Sequence, residues 1–200
     1  MATITQKMRS IAHDTFLSHF NKNACEALHL NWKILLISFF ENFRKISEHP
    51  LDRLTEIGLK EGMTFADIGC TLGFYSFAAS RIVGDKGVVY ALDINPDFIA
   101  YVEEKAKRKG IKNIKAIVAD AQEITLSSES VDIVFLHLVL HDIKDKTVAL
   151  KEFYRILKEN GKLVIDEENV MSLAVIRKLA EDSGFKFHKL LRKSIQIFEK

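Results

Sequence analysis

The chain has 200 residues, of which 48% are hydrophobic, with 29 Lys and Arg against 27 Asp and Glu for a formal net charge of +2. That is one domain of ordinary size with enough apolar chain to bury a large core. So small a basic excess does not by itself hold a polyanion in physiological salt, and nucleic acid is not an expected partner.

Met1 to Ser10 are polar and mixed, without the apolar core of a signal peptide. Cys25 and Cys70 stand far apart with no metal-ligand spacing, so no metal is expected and a reducing, cytoplasmic setting is. From Leu28 to Phe40 the chain is strongly apolar, but Asn31 and Lys33 interrupt it and it ends at Glu41, too short to span a bilayer. Trp32, Leu35, Leu36, Phe39, Phe40, Phe43 and Ile46 recur at helical spacing, which predicts a helix over 28–48 with one apolar stripe. Ile34 and Ile37 widen that surface, and its expected use is as a lid over a substrate pocket or as a homodimer contact, ahead of membrane association. Residues 1–49 are therefore expected to form an N-terminal helical segment and 50–200 the main domain.

His49-Pro50 breaks the first helix, Pro50 opens a short one through Ile57, and Gly58 caps it. Apolar runs then predict strands near 64–68, 88–92, 114–118, 132–136 and 162–166, with helices near 73–83, 96–109 and 146–158 between several of them. Asn95-Pro96-Asp97 starts the helix after the second strand with a turn residue, a proline at the first helical position and an acid that suits the macrodipole. Gly110 ends it. A last helix over 169–182 leads through Ser183-Gly184 to two further runs, 185–190 and 194–199. Strand and helix in alternation imply parallel strands joined by crossovers, with helices on both faces.

The run Phe65-Ala66-Asp67-Ile68-Gly69-Cys70-Thr71-Leu72-Gly73-Phe74-Tyr75-Ser76 reads as a strand, a glycine-bearing turn and a helix start. Without a Cβ, Gly69 and Gly73 let a ligand lie against bare backbone. The next strand, Val88-Val89-Tyr90-Ala91-Leu92-Asp93, ends in an acid that can accept both hydroxyls of a ribose, with Ile94 as an apolar face for adenine. Thr71 stands where a nicotinamide fingerprint has its middle glycine, and a P-loop's Lys-Ser/Thr is missing. Asp67, just before the turn, would repel a pyrophosphate and attract an ammonium or sulfonium, so the chemistry favours a cationic adenosyl ligand.

Ligands of open α/β sheets gather at the carboxyl ends of the strands, which puts Asp67, Asp93, Asp120, His137 and Asp166 along one edge. Asp120 and Gln122 can hydrogen-bond the exocyclic amine of adenine, or Asp120 can cap the turn at Ala121. His137-Leu138-Val139-Leu140-His141-Asp142 is the candidate reacting end. His137 is the better-placed base, while His141 fits a structural role, starting the next helix or pairing with Asp142. Asp166, Glu167 and Glu168 can shape an acidic acceptor pocket or cap the final helix. Phe74 and Tyr75 can lean toward the ligand or fill the layer between helix and sheet.

These residues resemble the class I S-adenosylmethionine-dependent methyltransferases of the small-molecule branch. Asp67 to Gly73 is similar to that family's first motif, Asp93 to its ribose-binding acid, Val118-Ala119-Asp120-Ala121 to the segment bordering adenine, and Val131 to His137 to its fourth strand. Ala149 to Ile165 resembles its helix, turn and fifth strand, and the resemblance spans residues 50 to 200. Thr71 departs from it, since the family usually has glycine there.

The resemblance implies a three-layer, doubly wound, Rossmann-like α/β sheet, mostly parallel, with an antiparallel C-terminal hairpin and added N-terminal helices. It implies S-adenosylmethionine as cofactor, held by Asp67, Gly69, Cys70, Thr71, Gly73, Tyr75, Asp93, Ile94, Asp120, Ala121 and His137. His137 and His141 are the expected catalytic residues. Neither proline, Pro50 or Pro96, is followed by cysteine, and no Asn/Asp-Pro-Pro-aromatic motif follows the fourth strand. Methylation of nucleic acid by either of those signatures is disfavoured, and the expected acceptor is a small molecule. The alternative is a protein that binds S-adenosylmethionine without catalysis.

Overall fold

A computed structural model describes residues 49–167 and 170–200, all within the second of the two units into which the chain divides, Arg44–Lys200. The expected helix over 28–48, its aromatic stripe and Glu168 lie outside the described residues.

In chain order the elements are α1 (Pro50–Glu56), β1 (Thr64–Ile68), α2 (Phe74–Val83), β2 (Val88–Asp93), α3 (Pro96–Arg108), β3 (Ile114–Val118) and β4 (Val131–His137). After a 3-10 turn at Leu140–Asp142 come α4 (Lys146–Ile156), β5 (Leu157–Asp166), α5 (Leu173–Asp182), β6 (Lys186–Leu191) and β7 (Ile195–Glu199). The seven strands form one sheet in the order β3-β2-β1-β4-β5-β7-β6. The first five pair in parallel, and β7 pairs antiparallel with both β5 and β6, which gives the expected C-terminal hairpin. Strand order reverses between β1 and β4, and that is where an open sheet leaves a crevice.

The central strands read as continuous apolar runs because both of their faces are covered. One face carries α1 and α2, whose Leu54, Tyr75 and Ala79, with Ile57 just past α1, pack on Phe65, Val89, Phe135 and Val164. On the other, Leu150 and Phe153 of α4 and Ile176 and Ala180 of α5 pack on Ala66, Val134, Leu136 and Ile165. Helix starts follow local chemistry. Asn95 accepts the Asp97 N–H at 2.9 Å before Pro96, and Asp145 accepts the Val148 N–H at 3.0 Å at the head of α4.

Two boundaries differ from the sequence reading. β5 begins at Leu157 rather than 162, because Lys158 to Gly161 stays inside the strand as a register shift, with Asn160 at φ 63°. The final helix begins at Leu173 rather than 169, with Ser172 at its N-cap position. No helix of the described residues is long and apolar enough to cross a membrane.

α1 is short but tied down at both ends of its face. Arg53 is buried and pairs with Asp166 at the end of β5, and exposed Glu56 takes two hydrogen bonds from Arg192, each 2.6 Å.

Candidate active site at the strand switch point

A cavity of about 490 Å³ opens at the carboxyl ends of β1, β2 and β3, within the size range of small-molecule sites. Gly69 and Thr71 of the turn after β1 form one wall, and Asp93 and Ile94 after β2 another. Asp120 and Ala121 after β3 close a third. Val139 lines it from the flagged segment after β4, and Phe98 and Lys144 also line it and carry no motif that would have flagged them. Its charged lining is Asp93, Asp120 and Asp142 against Lys144, an acidic balance that suits a cationic ligand.

Asp93 organises the turn. Its Oδ2 accepts the Thr71 N–H at 3.0 Å and its Oδ1 the Asn95 N–H at 2.9 Å, while each oxygen keeps lone-pair capacity for a ribose hydroxyl. Ile94 is 69% exposed, an apolar plate beside that acid. Gly69, at φ 67°, lies under Val139, whose Cγ2 would be 2.4 Å from a Cβ placed there. Asp120 accepts the Gln122 backbone N–H at 2.8 Å and its side-chain amide at 3.0 Å, and those bonds hold its carboxyl below the usual carboxylate range. Asp120 therefore caps the turn at Ala121 and lines the cavity at the same time.

Five residues expected to touch the cofactor do not line this cavity, His137 among them. Cys70 packs with Ala91, Ile99 and Val102, and a Cβ on Gly73 would meet Phe77 and Val102. Tyr75 fills the layer between α2 and the sheet, with ring centroids 4.8 Å from Phe135 and 5.0 Å from His137. Asp67 is buried beneath the turn and accepts the Ser76 hydroxyl at 2.5 Å. Alternation along a strand decides this. Asp67, paired in register with Phe135, faces α2, whereas Ile68 faces the cavity.

The two histidines stand in different surroundings, and neither lines the cavity. His137, at the tip of β4, has its Nδ1 3.1 Å from Asp166 Oδ2, and its side chain is 7% exposed. Asp166, fully buried, also accepts Arg53 at Oδ2 and the Ser194 hydroxyl at Oδ1, 2.8 Å away. His137 Nε2 and Arg53 Nε are buried with no hydrogen-bond partner among the described residues. His141 sits between two acids, with Nδ1 2.8 Å from Glu167 Oε2 and Nε2 3.4 Å from Asp142 Oδ2. Glu167 further accepts the N–H groups of Val139 at 2.9 Å and His141 at 3.3 Å, so it fastens the loop after β4. Arg53 carried no signal in the sequence, because a cation in a short helix reads as solvated surface.

The residues present fit S-adenosylmethionine. Asp93 and Ile94 would hold ribose and adenine, Asp120 and Ala121 would border the base, and the acidic lining would favour the sulfonium and ammonium.

Known proteins agree with this geometry. A family described as a methyltransferase domain matches residues 59–196. The chain is 28% identical over 138 residues to a demethylmenaquinone methyltransferase of Geobacillus sp. (strain WCH70), covering 69% of this chain and 59% of that protein. It is 32% identical over 130 residues to a ubiquinone/menaquinone biosynthesis C-methyltransferase of Shewanella woodyi, covering 64% of this chain and 52% of that one. The chain thus spans little more than half the length of these curated relatives. Among solved structures, a SAM-dependent methyltransferase from Aquifex aeolicus superposes with a TM-score of 0.69 at 30% identity, over 74% of this chain and 87% of the other. Strand order, acid-lined crevice and these matches converge, and the chain belongs to the S-adenosylmethionine-dependent methyltransferase domain family.

Proposed function

We propose that the protein transfers the methyl group of S-adenosylmethionine to a small organic acceptor, with His137 receiving the proton that the acceptor gives up. The observation that carries this reading is the pairing of an acid-lined cavity built on Asp93 and the Gly69 turn with a buried His137 Nε2 at the adjoining strand tip that has no partner among the described residues. The cofactor, when bound, supplies an electrophilic methyl group on a positively charged sulfur.

The chain's own residues have simpler work. Asp93 fixes the turn and the ribose, the apolar plate at Ile94 orders the base, and alignment lowers the barrier by removing translational and rotational freedom beforehand. A buried polar atom without a partner costs about 1–3 kcal/mol, so Nε2 of His137 favours a group that brings it a hydrogen. His141, engaged on both sides by carboxylates, positions the loop rather than exchanging protons. The names of the relatives put quinone precursors first among acceptors to try. Nothing observed favours binding without turnover.

Calorimetry with S-adenosylmethionine and its demethylated product, followed by a product screen over quinols, phenols and amines, tests the reading. Absence of cofactor binding by the wild-type chain ends it. A cytoplasmic setting and a homodimer through residues 28–48 belong to the same proposal, supported by two cysteines without metal-ligand spacing and by the aromatic stripe in the sequence. Sedimentation of the full chain beside a Trp32→Ser/Phe39→Ser variant tests the dimer.

A further inference from the structure

We infer that Asp166 is a positioning residue for the transfer: it fixes His137 in the tautomer that carries hydrogen on Nδ1 and a lone pair on Nε2, and Arg53 and Ser194 hold the carboxylate to that task. The inference rests on the reading of His137 as proton acceptor and adds residues that no motif marks.

Three elements meet at one oxygen. Asp166 ends β5, His137 ends β4 in register beside it, and Arg53 reaches across from α1, so that guanidinium and imidazole converge on Oδ2. Oδ1 is taken by the Ser194 hydroxyl from the turn before β7. Asp166 has no exposed surface, and an isolated carboxylate there would be expensive to ionise. Arg53, itself buried, supplies the compensating charge. An ionised carboxylate has no hydrogen to offer and only accepts. The hydrogen between Asp166 and His137 therefore belongs to Nδ1, and in the neutral ring Nε2 is left as the acceptor.

Among the described residues, the remaining surroundings of the ring supply nothing that would reverse this. Tyr75 from α2 meets it edge-on at 5.0 Å, and Phe135 lies stacked at 6.4 Å. The charged or titratable groups facing His137 from the described elements packed around it are Asp166, Arg53 and Tyr75. Nε2 is buried and meets no partner among the described residues, the condition in which a lone pair is kept for a substrate hydrogen.

The test is a long-range proton–nitrogen spectrum of the full chain labelled in histidine nitrogen, taken at a pH where the ring is neutral, with the His137 signals assigned by their loss in His137→Gln. The expected pattern is a protonated Nδ1 and an unprotonated Nε2, the reverse of the form that free histidine prefers. Replacing both buried charges together, Arg53→Leu/Asp166→Ala, avoids stranding either one. In that variant the ring is expected to revert to the Nε2–H form, with cofactor binding retained by calorimetry and turnover lowered ~10²-fold or more.

A wild-type His137 found in the Nε2–H form overturns the positioning role, as does a double variant that keeps the wild-type tautomer. The spectrum needs no acceptor. A failed methyl-transfer screen therefore counts against the functional reading alone, and a wrong tautomer in a cofactor-binding chain counts against Asp166 alone.

Discussion

The carboxylate of Asp93 accepts the backbone N–H of Thr71 at 3.0 Å, joining the acid at the tip of β2 to the glycine turn after β1, 22 positions away in sequence. One side chain thereby shapes the turn and lines the cavity. Asp93→Ala is expected to weaken S-adenosylmethionine binding at least ~10-fold by calorimetry, and to lower stability by about 1–3 kcal/mol through the stranded N–H groups of Thr71 and Asn95. Unchanged affinity in a folded variant would remove Asp93 from the ligand site.

Gly69 has a double reason to be glycine, which separates into two measurable parts. Its φ of 67° strains any L side chain, and a Cβ would meet Val139 Cγ2 at 2.4 Å. Gly69→Ala is expected to cost about 2–4 kcal/mol in urea denaturation, of which about 1–2 kcal/mol is backbone strain. Adding Val139→Ala is expected to return the steric part only. If the double variant regains full stability, the backbone term is absent.

Thr71 is the reverse case. A β-branched residue at φ 50° sits where glycine is at ease, and its hydroxyl recovers only a long 3.3 Å bond to the Gly69 carbonyl. Thr71→Gly is expected to raise the free energy of unfolding by up to about 1 kcal/mol in urea denaturation, after the added unfolded-state entropy is set against it. Cofactor affinity should hold or rise, and a fall in both would show that the threonine side chain contributes contacts of its own.

Acid lability follows from carboxylates whose folded pKa lies below the ordinary range. For Asp166 burial is the largest influence and pushes upward, but the hydrogen bond and charge of His137, the Ser194 hydroxyl and the charge of Arg53 together bring it below the usual value. Glu152 is lowered chiefly by its hydrogen bond with Arg155, and Asp120 by the Gln122 backbone N–H. A depressed group stabilises the fold above its unfolded pKa, about 4, and loses that contribution as pH falls through the folded value. Urea midpoints are therefore expected to be level above about pH 5 and to decline below it. Arg53→Leu/Asp166→Ala should flatten the decline, and an equal slope in wild type and variant would remove Asp166 from the account.

The strands around the crevice and the turn from Asp67 to Gly73 were legible because period, glycine and terminal acids are local features. Which side chains line the cavity was not. Tyr75 and Cys70 fall within the motif yet pack into the core, while Phe98 and Lys144 fall outside any motif and line the cavity. The start of β5 was misplaced because Asn160-Gly161 has the composition of a turn, and only pairing with β4 keeps it in the sheet.

Sequence alone determined the alternation of elements, the acid after β2 and the histidine after β4, since each is encoded within a few neighbouring residues. Only tertiary structure decided that His137 would meet Asp166, 29 positions away, on the same oxygen as Arg53, 84 positions away, while His141 would turn to Glu167. The physical reason is the two-residue period of a strand. Asp166 and Glu167 are adjacent in the chain but serve different histidines, and which acid meets which is fixed by strand register, which no local pattern records.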